Sequence, residues 1–138
     1  MVVTSSGVDI AAARYGSLVT YRRNGAAVAT PVWLAPANGK HYLFSAGQAG
    51  KVKRLRANPQ VRLARCTAGG RVKSDWLAGV GRVVIDAPTI AIAYAALRAK
   101  YGWAMWLGDA LAKLSGRYRQ RAIIEITLDD QRANHATT

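Results

Sequence analysis

His41-Tyr42-Leu43-Phe44-Ser45 runs through Ala46-Gly47-Gln48-Ala49 into Gly50-Lys51-Val52-Lys53-Arg54-Leu55-Arg56. The first five residues read as a short strand and the next few as a small turn. A helix follows over Gly50–Ala57, carrying Lys51, Lys53, Arg54 and Arg56. A helix start exposes unpaired N–H groups and the positive end of the dipole, so cations placed there are repelled. An anion bound at that point reverses the repulsion, and the stretch reads as a phosphate or carboxylate site. It has neither the spacing of a P-loop nor a dinucleotide glycine fingerprint. Taken alone, it reads equally well as a solvated basic helix on a basic chain.

Strand signals lie on both sides of this helix. Ser17–Arg23 alternates apolar and polar residues, and Asn24-Gly25 is a strong hairpin signal. Ala26–Ala35 returns as a strand in which Pro31 requires an edge or a bulge. Pro36–Lys40 reads as a turn and His41–Ser45 as a third strand, so the first half predicts an antiparallel meander. The helix stops at Asn58-Pro59, because proline disfavours helix at the residue before it. Gln60–Cys66 is a strand, Thr67-Ala68-Gly69-Gly70 a turn, and Arg71–Ile85 a long strand in which Gly79 and Gly81 signal a bulge or bend. Asp86-Ala87-Pro88 opens a helix over Thr89–Tyr101, which Gly102 ends. Trp103–Leu114 is a second helix and Arg121–Leu128 the closing strand. Residues 1–14 read as a loose lead-in with a helical tendency over Val8–Arg14. Six or so antiparallel strands with short helices make an α+β barrel, not a doubly wound sheet.

The 138 residues are 51% hydrophobic, which suits a single domain over 1–138 with its core at 15–128 and a tail at 129–138. A barrel of this size often completes its core by dimerising. The formal net charge is +13, and residues 51–82 hold nine cations against Asp75 alone, a local +8. Such a cluster concentrates anionic ligands. The cations form no single tail or block and match no nucleic-acid motif, which argues against DNA or RNA as the partner. Arg62, Arg65 and Arg82 alternate with apolar residues as a solvated strand face does. Cys66 has no disulfide partner and reads as a small buried residue. His41 and His135 do not form a metal site, so no metal is expected. No leader or membrane-length apolar run is visible, and the cytoplasm is the expected compartment.

Tyr21-Arg22-Arg23-Asn24-Gly25, Thr30-Pro31-Val32-Trp33-Leu34, Tyr42-Leu43-Phe44-Ser45, Gly50-Lys51-Val52-Lys53-Arg54-Leu55 and Asn58-Pro59-Gln60-Val61-Arg62-Leu63 occur in that order. With Lys100-Tyr101-Gly102-Trp103 and Ile123-Ile124-Glu125-Ile126, the pattern resembles the pyridoxamine 5′-phosphate oxidase-like split β-barrel superfamily. Within it, the chain is most similar to the flavin/deazaflavin oxidoreductase B group of F420-dependent enzymes. The resemblance covers about residues 15–128. It implies a homodimer with two cofactor sites, each built from both chains, and a small-molecule substrate. It also implies coenzyme F420, a deazaflavin with a phosphodiester and a polyglutamate tail. Reduced F420 would deliver a hydride to an electron-poor substrate such as an enone, quinone or tetrapyrrole. By the same resemblance Pro31, Val32 and Trp33 lie along the ring, chiefly through backbone groups. Ser45 and Lys51 hold the phosphate, and Lys53 and Arg54 support it or attract the tail.

Two alternatives remain beside that reading. One is an FMN-binding oxidase or flavin reductase of the same fold, and the other a non-enzymatic basic module that binds F420 or nucleic acid. The residues themselves leave Trp33 open between a ring wall and barrel core. Trp76, Tyr101, Trp103 and Trp106 read as packing ahead of a substrate pocket. Glu125, the only glutamate, reads as facing solvent or a dimer contact. No nucleophile–base pair or paired carboxylates appear and no catalytic residue is assigned, which suits chemistry carried by a cofactor.

Overall fold

Seven strands form one antiparallel sheet in a computed structural model that describes residues 10–46, 50–115 and 121–129. In chain order they are β1 (Tyr15–Tyr21), β2 (Ala27–Val32), β3 (Ala35–Ala37), β4 (Lys40–Ala46), β5 (Gln60–Cys66), β6 (Leu77–Val84) and β7 (Arg121–Leu128). Helix α1 (Gly50–Ala57) joins β4 to β5, and α2 (Ala87–Ser115) joins β6 to β7. The spatial order is β2-β1-β5-β6-β7-β4-β3.

β2 and β3 are therefore opposite edges of the sheet, yet only Trp33 and Leu34 lie between them. Three Cα–Cα steps span at most roughly 11 Å. The sheet must curl until its edges approach at that point, which makes it the split barrel of the α+β class that the sequence predicts. Leu18, Leu34, Leu43, Leu63, Ile124 and Ile126 fill the inside. Pro31 sits on edge strand β2, where its missing N–H costs no ladder bond.

α1 closes one end of the barrel by adding Val52 and Leu55 to the same core. It can do so because β6 has glycine beneath it. A Cβ at Gly81 would lie 3.1 Å from the Leu55 and Ile126 side chains. α2 opens with Asp86 accepting from the Thr89 amide at 3.1 Å and from the Thr89 hydroxyl. Ala93, Leu97 and Tyr101 then pack on the outer face of the sheet. The helix breaks at Gly102, whose φ of 53° and ψ of −127° leave helical space. That is the residue at which the sequence ends its first helix.

Four sequence expectations are corrected. The first three strands do not form a meander, because the return strand splits at Trp33-Leu34 and its second part pairs with β4 at the other edge. That second part, β3, lies partly in the segment read as a turn. The turn itself is only Asn38-Gly39, with φ of 53° and 77°, as a two-residue hairpin with both residues left-handed requires. The long strand expected from Arg71 begins at Leu77, with a single bridge between Cys66 and Val72 before it. Ile10 is 1% exposed and belongs to the core, so the lead-in is not loose at that point.

A further correction concerns Glu125. It is 4% exposed and sits on β7 directly between its register partners Tyr42 on β4 and Arg82 on β6. Arg82 donates to it from Nε at 2.8 Å and Nη2 at 3.3 Å, the Tyr42 hydroxyl donates at 2.8 Å, and Lys40 Nζ lies 3.5 Å away. Burial pushes the carboxyl pKa up, but the bonds from Arg82 and Tyr42 and the nearby cations outweigh it and hold the group below its usual range. Burial and the same carboxylate push the Tyr42 phenol up to about 12. No described helix is long and apolar enough to cross a membrane.

A carboxylate with a depressed pKa adds stability above its unfolded pKa and loses it as pH falls through the folded value. Glu125→Gln should therefore lower unfolding stability at pH 7 by about 1.5–3 kcal/mol, the range for hydrogen bonds to a charged group. It should also flatten the acid side of the stability–pH curve below the ordinary carboxylate range. Urea denaturation between pH 3 and 7 measures both effects.

Candidate functional site

Of the four cations of α1, Arg54 is held in place, Lys51 is half-buried, and Lys53 and Arg56 are exposed. Arg54 Nε donates to Thr20 Oγ1 at 2.6 Å, and Thr20 is 1% exposed on β1. A Cβ at Gly50 would lie 2.6 Å from Arg54 Nη1, so the guanidinium folds back over the first residue of the helix. Lys51 lies three residues before Arg54 on the same helical face. Burial disfavours its charge and Arg54 repels it, and together they lower its pKa below the usual lysine value. A half-buried lysine beside an anchored arginine is electrostatically unfavourable unless an anion completes the site.

Beside these residues, the flank of α1 and the β1–β2 turn enclose a cleft of about 270 Å³, lined by Tyr21, Arg22, Arg23, Lys53, Arg54 and Ala57. Four of the six are cations and none is a carboxylate. The sequence reading did not place Arg22 and Arg23 at the site. Their position follows from two local features. Asn24-Gly25 lies in a three-residue loop closed by Arg22 N to Ala26 O at 2.9 Å, which fixes the arginines at the end of β1. The antiparallel pairing of β1 with β5 then carries that end past the start of β5, where α1 finishes.

The remaining predicted residues divide between two places. Ser45 is buried near the end of β4, two residues after the core residue Leu43 and shortly before α1. Pro31 is exposed on β2, while the Val32 side chain lies in the barrel core. Trp33 is half-buried and stacks on Tyr101, with ring centroids 4.6 Å apart and planes 6° apart. β2 runs away from the cationic turn, so Trp33 and the cleft are separated by the length of that strand, roughly 20 Å.

The fold also divides the charge that the sequence concentrates in residues 51–82. α1 stands at one end of the barrel, while Arg71 and Lys73 lie beyond Cys66, at the other end of β5. Arg62 and Arg82 both face solvent as expected, and Arg82 also pairs with Glu125. A second cleft, about 550 Å³, includes Lys40, Tyr42, Arg82 and Glu125 in its lining, and there the carboxylate offsets the cations. Tyr101 packs in the core, as expected of a packing residue, and Trp76 is 39% exposed. The side chains of Trp103 and Trp106, and His135, lie outside the described part. Cys66 is buried, and burial pushes its thiol pKa up. Among the described residues no group of His, Cys, Asp and Glu could hold a metal ion.

The family model of pyridoxamine 5′-phosphate oxidase matches residues 9–135. No curated protein matches the chain. Among solved structures, an F420 reductase aligns at 19% identity over 92% of this chain and 95% of its own, with a TM-score of 0.59. An FAD-binding protein from Mesorhizobium loti aligns at 19% identity over 94% and 91%, with a TM-score of 0.60. The heme storage protein HutZ of Vibrio cholerae aligns at 15% identity over 84% and 82%, with a TM-score of 0.64. At these identities the likeness establishes the fold, and the three differ in what they bind.

A lysine with a lowered pKa loses its charge at lower pH than an exposed one. Anion affinity that depends on Lys51 should be full at neutral pH and fall as pH rises, beginning below the ordinary lysine range. Lys51→Arg should remove this fall, since a guanidinium stays protonated. Calorimetric titration with pyrophosphate from pH 7 to 10 measures the difference.

Proposed function

The chain belongs to the pyridoxamine 5′-phosphate oxidase family, and from that premise we propose that it is an oxidoreductase that uses coenzyme F420. The observation that carries this reading is the cleft lined by Arg22, Arg23, Lys53 and Arg54 beside Lys51. A ligand with one terminal phosphate, such as FMN, needs Lys51 and Ser45 but leaves the second group of cations unmatched. A deazaflavin with a phosphodiester and a carboxylate tail matches both. The donor set fits such a polyanion, because the cleft lining has no carboxylate to oppose it.

In this reading Lys51 and Ser45 hold the phosphodiester, and Lys53, Arg54, Arg22 and Arg23 hold the tail. Trp33, flanked by Pro31 and Val32, supplies a flat wall for the ring. Since Trp33 and the cleft stand at opposite ends of β2, a cofactor shorter than that separation takes one of the two from a second copy of the chain. A homodimer with shared sites meets this requirement. When bound, reduced F420 would supply a hydride equivalent to an electron-poor unsaturated small molecule, and the matching proton would come from water or from a donor that no residue here is assigned to be. The protein's own part is to bind and orient the reactants.

Fluorescence titration with F420 and with FMN tests the proposal, and F420 should bind more tightly. Micromolar FMN binding with no F420 response would overturn it. Lys51→Ala should weaken F420 by about 1.5–3 kcal/mol, or roughly ten- to hundredfold, as expected for a hydrogen bond to a charged group. Arg71→Ala makes the same change in net charge at the far end of the barrel and should have little effect in moderate salt. Equal effects from the two substitutions would remove Lys51 from the site.

A further inference from the structure

The crossover Trp33-Leu34 is gripped from outside the barrel by two consecutive residues at the end of the first segment of α2. Lys100 Nζ donates to the Leu34 carbonyl at 2.6 Å. The Tyr101 hydroxyl accepts the Leu34 amide at 2.9 Å, and it lies 2.9 Å from both the Leu34 and the Arg14 carbonyls. A phenol has one proton and cannot donate fully to both oxygens. The Lys100 ammonium resolves the competition. It supplies the donor for Leu34 and leaves the Tyr101 proton for Arg14. Three segments thus meet at one phenol: the entry to β1, the β2–β3 crossover and α2. The same phenol ring stacks on Trp33, and Lys100 Nζ stands 5.4 Å from its centroid.

We propose that Lys100 and Tyr101 form a proton-dependent clamp on the Leu34 carbonyl that fixes the plane of the Trp33 indole and so positions the wall offered to a planar ligand. Both are positioning residues, since they act through Trp33. The part concerning a bound ring rests on the function proposed above, whereas the clamp stands on the hydrogen bonds alone. Burial lowers the Lys100 pKa to about 8. The groups set around it are Tyr101, whose phenol burial pushes up to about 12, and Arg14 and Tyr15, which act on Tyr101. On α2 itself, Arg98 lies over Tyr94, 5.8 Å from the ring centroid. Below pH 8 the charged donor holds the carbonyl strongly. Above it the neutral amine makes a weaker bond, and Leu34 again competes with Arg14 for the phenolic proton.

Nitrogen-15 NMR of the full chain from pH 6.5 to 9.5 reads the clamp through the Leu34 amide and the Trp33 indole N–H. Both should titrate with a midpoint near 8. Lys100→Arg should hold them at their low-pH positions throughout, and Lys100→Met at their high-pH positions. A titration that persists unchanged in Lys100→Met would overturn the clamp. For the ring, Lys100→Met at pH 7 should weaken F420 and FMN alike, by roughly tenfold for the loss of one charged hydrogen bond. Lys100→Arg should restore binding. If the resonances titrate but Lys100→Met binds both ligands as the wild type does, the positioning role is overturned. If the wild type binds neither ligand, the proposed function fails, while the NMR titration still decides the clamp.

Discussion

A seven-stranded sheet whose two edges are joined by only two residues cannot stay open. That connection is the constraint on which the rest of the structure depends. It brings β2 toward β3, encloses the Leu and Ile side chains of the inner faces, and leaves an end that α1 covers with Val52 and Leu55. It also explains why Trp33-Leu34 is held by polar bonds from α2 and not by packing alone. Leu34 is fully buried, so its amide and carbonyl must find partners within the protein. Tyr101 and Lys100 provide them.

The curl sorts the charges as well. A chain with +13 repels itself, and the fold leaves that repulsion uneven. Around β6 and β7 the cations are matched, with Arg82 and Lys40 meeting the chain's single glutamate. At the other end of the chain's charge pattern, α1 and the β1–β2 turn bring together cations that no lining carboxylate offsets. Thr20 fixes Arg54 in a direction that a solvated side chain would not keep. Structure that holds like charges together points to an anion for which they are arranged.

Much of this was legible in the sequence where local chemistry decides the outcome. Asn58-Pro59 ends α1, Gly102 breaks α2, and β5 and β7 fall where their apolar runs place them. The basic character of α1 and the candidacy of Lys51, Lys53 and Arg54 were visible for the same reason. What local patterns could not supply was pairing between distant strands. The break at Trp33-Leu34 carries no turn signal, because it is imposed by barrel closure. Glu125 alternates like a surface residue, and only its register against Tyr42 and Arg82 reveals that it is buried and neutralised. Arg22 and Arg23 read as strand ends until β1 is laid beside β5. Linear proximity misled once. The nine cations of residues 51–82 are neighbours in sequence, but β5 carries Arg71 and Lys73 to the end of the barrel opposite α1.

The central claim is that one end of the barrel, where α1 meets the β1–β2 turn, is built to receive a polyanionic cofactor. Mapping amide chemical-shift changes on titration with F420 tests it most directly. The account predicts changes at Gly50–Arg54 and at Arg22–Gly25, with further changes at Pro31–Trp33 where the ring lies, and the segment Arg71–Trp76 undisturbed. Changes centred on Arg71–Trp76, with α1 and the turn unmoved, would contradict it.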